Sequence, residues 1–192
     1  MDWTEIAGFA TGALCVWLTV RRSIWNFPVG LANNVFFLVL FTRAGLYGDA
    51  GLQVLYFGLG CLGWYWWLHG GKAHGPLVVR PTPRWAWPVA VAGVAVLTLG
   101  LRWALATWTS STVPLADGFT TALSLVAQVM LNRKLIGNWL VWITADITYI
   151  WLYAYKDLYL TAVLYALFLG MCCVGLHQWR AARRAGVEEV AA

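Results

Sequence analysis

GNWLVWITADITYIW, residues 137–151, places an aspartate, Asp146, at the centre of a tryptophan-rich apolar run. A carboxylate in the middle of a bilayer helix costs roughly 2.5–3.5 kcal/mol on insertion scales. Whether this stretch is a membrane helix therefore decides the fold, and what compensates the charge decides the chemistry. Composition answers the first question. Of 192 residues, 61% are hydrophobic and 11% charged, where soluble domains carry about 45–50% and about 25%. The chain reads as an all-α integral membrane protein.

A spanning helix needs about 20 mostly apolar residues. Seven stretches meet that need approximately: 4–20, 25–42, 50–68, 85–107, 114–132, 137–155 and 160–179. The acidic N-terminus, MDWTEIAG, lacks the basic start of a signal peptide, so the first run is kept as a helix. The longest loop, HGGKAHGPLVVRPTP at 69–83, reads as a linker. Arg21, Arg22, Lys72, Arg80, Arg84, Arg133, Lys134, Arg180, Arg183 and Arg184 fall on one side of a seven-span chain, and Arg43, Arg102 and Lys156 on the other. The positive-inside rule puts the N-terminus outside and the C-terminus in the cytoplasm. The same rule explains the net charge of +5 without nucleic acid.

Residues 21–67 laid over 133–179, a shift of 112, match without gaps. Arg21, Ile24 and Asn26 meet Arg133, Ile136 and Asn138; Leu46 and Tyr47 meet Leu158 and Tyr159. Ala50, Leu52, Leu55, Gly58, Cys61, Gly63 and Trp67 meet Ala162, Leu164, Leu167, Gly170, Cys173, Gly175 and Trp179. Extended backward, the shift sets Glu5 over Asp117. A triple of helices changes the side of the membrane, so a fourth helix must return the chain before a parallel copy begins. The expected architecture is 3+1+3: a first triple-helix repeat at 1–68, a linker with the fourth helix at 69–112, a second repeat at 113–180 and a cytoplasmic tail at 181–192. Parallel repeats of this kind occur in SWEET transporters, and such folds hold their substrate near the midplane at the repeat interface.

Under the same shift Asp146 falls on Asn34. Asn138, Trp142 and Asp146 follow i, i+4, i+8 and Tyr149 continues at i+3, so they share one helix face. Asn26, Gly30, Asn34 and Phe37 do likewise in the first repeat, and Gln53, Tyr56, Gly60 and Trp64 on the third helix. Polar groups are costly in lipid, so these faces are expected to line the bundle interior. Aromatic faces stack on flat heterocycles and attract cations, and a buried aspartate favours a positively charged partner. The residues point to a small, flat, polar, cationic molecule such as a pyridinium or thiazolium compound.

Other residues read more plainly. Trp3, Trp25, Trp85, Trp87, Trp108 and Trp179 lie near span ends, where an interfacial belt accounts for them. Asn33 and Asn34 are each able to bond between helices. Cys15, Cys61, Cys172 and Cys173 read as free thiols in lipid or core, and neither they nor His69, His74 and His177 show metal-ligand spacing. No nucleophile triad, paired acids or phosphate loop suggests an enzyme, and no cofactor is implied.

WNFPVGLANNVFF, GLYGDAGLQVLYFGLGCLGWYWW, NWLVWITADITYIWLY and KDLYLTAVLYALFLG resemble the PnuC-type nicotinamide riboside transporter family, over about residues 21–68 and 130–180. The W-x-x-W-x-x-x-D element, Trp139, Trp142 and Asp146, carries most of the likeness. The resemblance implies a multi-pass homotrimer in the cytoplasmic (inner) membrane, carrying nicotinamide riboside by facilitated diffusion, with phosphorylation inside trapping the vitamin. It implies substrate binding by Trp139, Trp142 and Asp146 and by the stretch of Gln53, Tyr56 and Trp64. Family relatives carry thiamine, riboflavin or nucleosides. The alternative of another class is a vitamin-binding membrane subunit served by a separate ATP-driven module.

Overall fold

The computed structural model describes residues 3–43, 47–108, 113–155, 157 and 159–191. Leu46, Lys156 and Leu158, and the side chain of Glu5, used in the arguments above, lie outside the described residues. Among the described residues the chain forms seven α-helices: α1 (Trp3–Val20), α2 (Asn26–Arg43), α3 (Tyr47–His69), α4 (Ala86–Trp108), α5 (Pro114–Asn132), α6 (Asn138–Tyr155) and α7 (Tyr159–Ala191). Each coincides with one expected span. The largest departure is α7, which continues past residue 179 through the basic stretch to Ala191. By length and apolarity alone α4, α5 and Thr161–Ala185 of α7 suffice to cross a membrane. In α2, α3 and α6, Asn, Gln, Asp, Tyr and Trp residues dilute the apolar run.

The chain divides into two compact units, residues 1–78 with 132–134 and residues 79–131 with 135–192. In the first, α2 packs on both α1 and α3. Asn33 Nδ2 donates to Gly8 O at 3.3 Å and to Thr11 Oγ1 at 2.5 Å, tying α2 to α1. Gly60 of α3 lets Leu31 approach, at 2.9 Å from where a Cβ would stand. Residues 132–134 join this unit through specific contacts. Asn132 Nδ2 donates to Leu59 O at 2.7 Å, the Arg133 guanidinium lies 4.2 Å over the Trp66 ring, and Lys134 Nζ lies 4.1 Å over Trp67 and donates to Leu77 O at 2.6 Å.

In the second unit, Leu123, Ala127 and Met130 of α5 and Val141 and Ala145 of α6 form a buried cluster, with Trp87, Ala90 and Val94 of α4 against it. The fourth helix thus belongs to the same unit as α5–α7. The linker before it is pinned too: Ile136 N donates to Arg80 O at 3.0 Å and Gly137 N to Thr82 Oγ1 at 2.7 Å.

The turns α1–α2 and α5–α6 are built alike. Arg22 and Lys134, 112 residues apart, both have positive φ, 57° and 49°. Ser23 N donates to Leu18 O at 2.9 Å, and Leu135 N to Met130 O at 3.0 Å. Asn26 Nδ2 donates to Ser23 O and Asn138 Nδ2 to Leu135 O, each at 2.6 Å. Phe27 meets Trp67 edge-on at 5.1 Å and 88°, and Trp139 meets Trp179 edge-on at 5.4 Å and 88°. Gly63 leaves room for the Phe27 ring and Gly175 for Trp139. These buried rings sit within their own units, so the belt reading of Trp179 is corrected: it is 0% exposed, because a neighbouring glycine admits a second indole.

Two outcomes are expected. A Cβ at Gly175 would stand 2.6 Å from Trp139, whereas at Gly170 it would meet nothing within 4 Å. Gly175→Ala should lower stability by about 1–3 kcal/mol through overpacking, while Gly170→Ala should be neutral or raise it by up to about 1 kcal/mol; thermal unfolding in detergent compares them. The second concerns Lys134, outside the helices. Burial, and then Arg22, pushes its ammonium down from 10.5 to about 8. A base depressed on folding contributes stability that is complete above its unfolded value and is lost as pH falls through the folded one. Thermal stability should therefore rise between pH 8 and 10, and Lys134→Met should flatten that rise.

Candidate functional site

The i, i+4 pattern of α6 places Asn138, Trp142, Asp146 and Tyr149 along one side of the helix, but packing divides them. Asn138 is 0% exposed and Trp139 1% exposed. The Asn138 amide is bound to the turn and the Trp139 ring to Trp179, as Asn26 and Phe27 are in the first unit. Trp142 and Tyr149 are half-buried against the α4–α5–α6 cluster.

Asp146 is 5% exposed. Its Oδ2 accepts a hydrogen bond from Cys172 Sγ of α7 at 3.3 Å, and it makes no ion pair among the described residues. The sequence analysis expects a positively charged partner for this carboxylate; the structure gives it a thiol. One turn away, Tyr149 stacks on Tyr165 of α7 at 4.5 Å and 29°, and Tyr153 stacks on the same ring at 5.3 Å and 22°. Phe168 meets Tyr165 edge-on at 5.8 Å and 71°. The Tyr149 hydroxyl faces Thr120 and Ser124 of α5. The second unit therefore brings Asp146, Tyr149 and Tyr153 of α6 against Tyr165 and Cys172 of α7, with Trp142 one turn before the acid.

In the first unit Asn34, Gln53, Tyr56 and Trp64 are all half-buried, on α2 and α3. Asn33, not Asn34, makes the interhelical hydrogen bonds, and Asn34 makes none among the described residues. Tyr165, Phe168 and Cys172 were missed in the sequence. The signal was present: the shift of 112 carries Gln53, Tyr56 and Gly60, one face of the third helix, onto them, but none of the three pairs is an identity.

With this geometry in view, the relatives are informative. The chain belongs to the nicotinamide mononucleotide transporter family, whose model matches residues 2–181. It is 27% identical to the nicotinamide riboside transporter PnuC of Escherichia coli (strain K12), over 93% of this chain and 85% of that one. It is also 27% identical to the riboflavin/roseoflavin transporter RibM of Streptomyces davaonensis, over 92% of this chain and 84% of that one. Among solved structures it is similar to the crystal structure of the vitamin B3 transporter PnuC, with a TM-score of 0.73 and 26% identity, covering 95% of this chain and 83% of that chain. The protein is a multi-pass membrane transporter of a small molecule and not an enzyme.

The tyrosine stack gives a direct test of the site's construction. Tyr165→Ala removes the ring shared by Tyr149, Tyr153 and Phe168 and should destabilise by about 3–5 kcal/mol, as large aromatic truncations do. Tyr165→Phe keeps the stack and should unfold within about 1 kcal/mol of the parent in the same assay.

Proposed function

We propose that this protein carries nicotinamide riboside across the cytoplasmic (inner) membrane by facilitated diffusion, with uptake driven by phosphorylation of the vitamin inside the cell. The observation that carries the reading is Asp146: a carboxylate buried in an apolar bundle, beside aromatic rings, with no cation paired to it among the described residues. A substrate bearing a pyridinium ring supplies the missing charge and a flat face for Trp142 and Tyr149. Asn34, Gln53, Tyr56 and Trp64 take part in binding as well, while Asn138 and Trp139 brace the helix that bears Asp146. All seven helices cross the membrane in a 3+1+3 parallel-repeat arrangement, N-terminus outside and C-terminus cytoplasmic. The matched turns at a shift of 112 support the repeat, and the distribution of basic residues supports the orientation. Assembly as a homotrimer follows from the family resemblance.

A second reading, riboflavin transport, has a specific basis in the equal 27% identity to RibM. The neutral flavin ring leaves the Asp146 charge unpaired, which favours the cationic vitamin. Thiamine, also cationic, and nucleosides share the electrostatic or the stacking part of the argument. A binding subunit that depends on an ATP-driven module would bind the vitamin and pass none of it alone.

The decisive experiment uses purified protein in liposomes with radiolabelled nicotinamide riboside. Downhill flux without ATP is expected, with Asp146→Asn weakening binding at least tenfold and Asp146→Glu much less. Binding without flux would favour the ATP-dependent subunit. Flux of riboflavin but not of nicotinamide riboside would replace the substrate, and equal affinity in both Asp146 variants would remove the electrostatic account.

A further inference from the structure

Asp146 receives its hydrogen bond from an unusual donor. Cys172 Sγ reaches Oδ2 at 3.3 Å, and a thiol is a weak donor. Stronger donors stand nearby and point elsewhere: the hydroxyl of Tyr149 faces Thr120 and Ser124, and that of Tyr165 faces Tyr153. The second carboxylate oxygen, Oδ1, takes no donor among the described residues. One oxygen is held and the other is not, within a side chain that is 5% exposed.

A weak donor suits this arrangement. A single donor fixes one oxygen and leaves the charge of the carboxylate to an incoming cation. With no donor, the carboxylate would be free to change rotamer, and the cost of ordering it would fall on substrate binding. We propose that Cys172 is a positioning residue of the transport site: its thiol pins Asp146 through Oδ2 and leaves Oδ1 for the positively charged ring of the substrate. This rests on the cationic-substrate reading above and extends it, since it makes preference for a cation depend on a residue of α7 that need not touch the ligand.

The test measures affinity, by titration calorimetry, for nicotinamide riboside and for its neutral dihydropyridine form. The proteins are the parent, Cys172→Ala, Cys172→Ser, Cys172→Val and Asp146→Asn. Ser puts a smaller hydroxyl oxygen in the place of the sulfur and keeps a donor, whereas Ala removes both the γ atom and the donor. Val fills the space without donating and substitutes for Ala should that variant fold poorly. Cys172→Ala and Cys172→Val should bind the cationic form about three- to tenfold more weakly, with the neutral form within about twofold, and Cys172→Ser should recover most of the loss. The proposal is overturned by parent-like binding in Ala and Val, by equal losses for both ligands, or by Ser no better than Ala. Asp146→Asn separates the two levels. If it abolishes preference for the cation while the Cys172 variants change nothing, only the role of Cys172 fails; if the preference survives, the cationic-substrate reading fails and this inference with it.

Discussion

In a hydrocarbon layer each polar group must find its partner inside the protein, because water is not there to supply one. The chain meets that demand locally wherever it can. Thr19, Thr42, Thr107, Thr144 and Thr148 return their hydroxyls to the carbonyl four residues earlier. Asn26 and Asn138 turn their amides onto the preceding loop. Thr98 Oγ1, Asn138 Oδ1 and Trp139 Nε1 are small debts, each one atom. Asp146 is a debt of a different order, a potential full charge met by one thiol. On the proposed reading, this one group is reserved for a ligand.

The reservation depends on stiffness. A carboxylate can be held at a chosen place only if its helix cannot slide, and α6 is fixed at its start by the positive-φ residue Lys134, by the buried amide of Asn138 and by the edge-on indoles of Trp139 and Trp179. Gly175 is the permissive element, since its missing side chain is where the Trp139 ring lies. The same devices hold α2 through Arg22, Asn26, Phe27, Trp67 and Gly63. Rings packed at right angles gain beyond their buried area, and they resist rotation of the helix about its axis.

Much of this was legible in the sequence because it rests on periodicity and self-similarity. The helices follow from apolar runs of spanning length, and the alignment of residues 21–67 with 133–179 marks Asn26, Gly63 and Trp67 and their partners as parts of one design. Asp146 stands out by cost alone. What stayed hidden depends on which way a side chain turns. Asn138 and Trp142 share a helix face, but one is sealed in a turn and the other lies half-buried beside the acid, and spacing cannot separate them. Cys172 looked like an inert thiol because a cysteine in an apolar run has no pattern. Only the packing of α6 on α7 shows what it meets. The interfacial reading of Trp179 failed for a related reason: nearness to a helix end says nothing of whether a glycine opposite has made room for the ring.

The matched halves also differ in one instructive way. Where α5 and α6 carry Thr120 beside Tyr149, the positions 112 earlier carry Gly8 beside Phe37, and where α6 has the acid, α2 has the neutral Asn34. On the proposed reading the oily, glycine-relieved copy offers the substrate neutral contacts, and the hydroxyl-bearing copy offers the charge. Two halves built on matched turns but unlike in polarity would let changes confined to one of them alter what is bound, with the packing that stiffens the other left as it is.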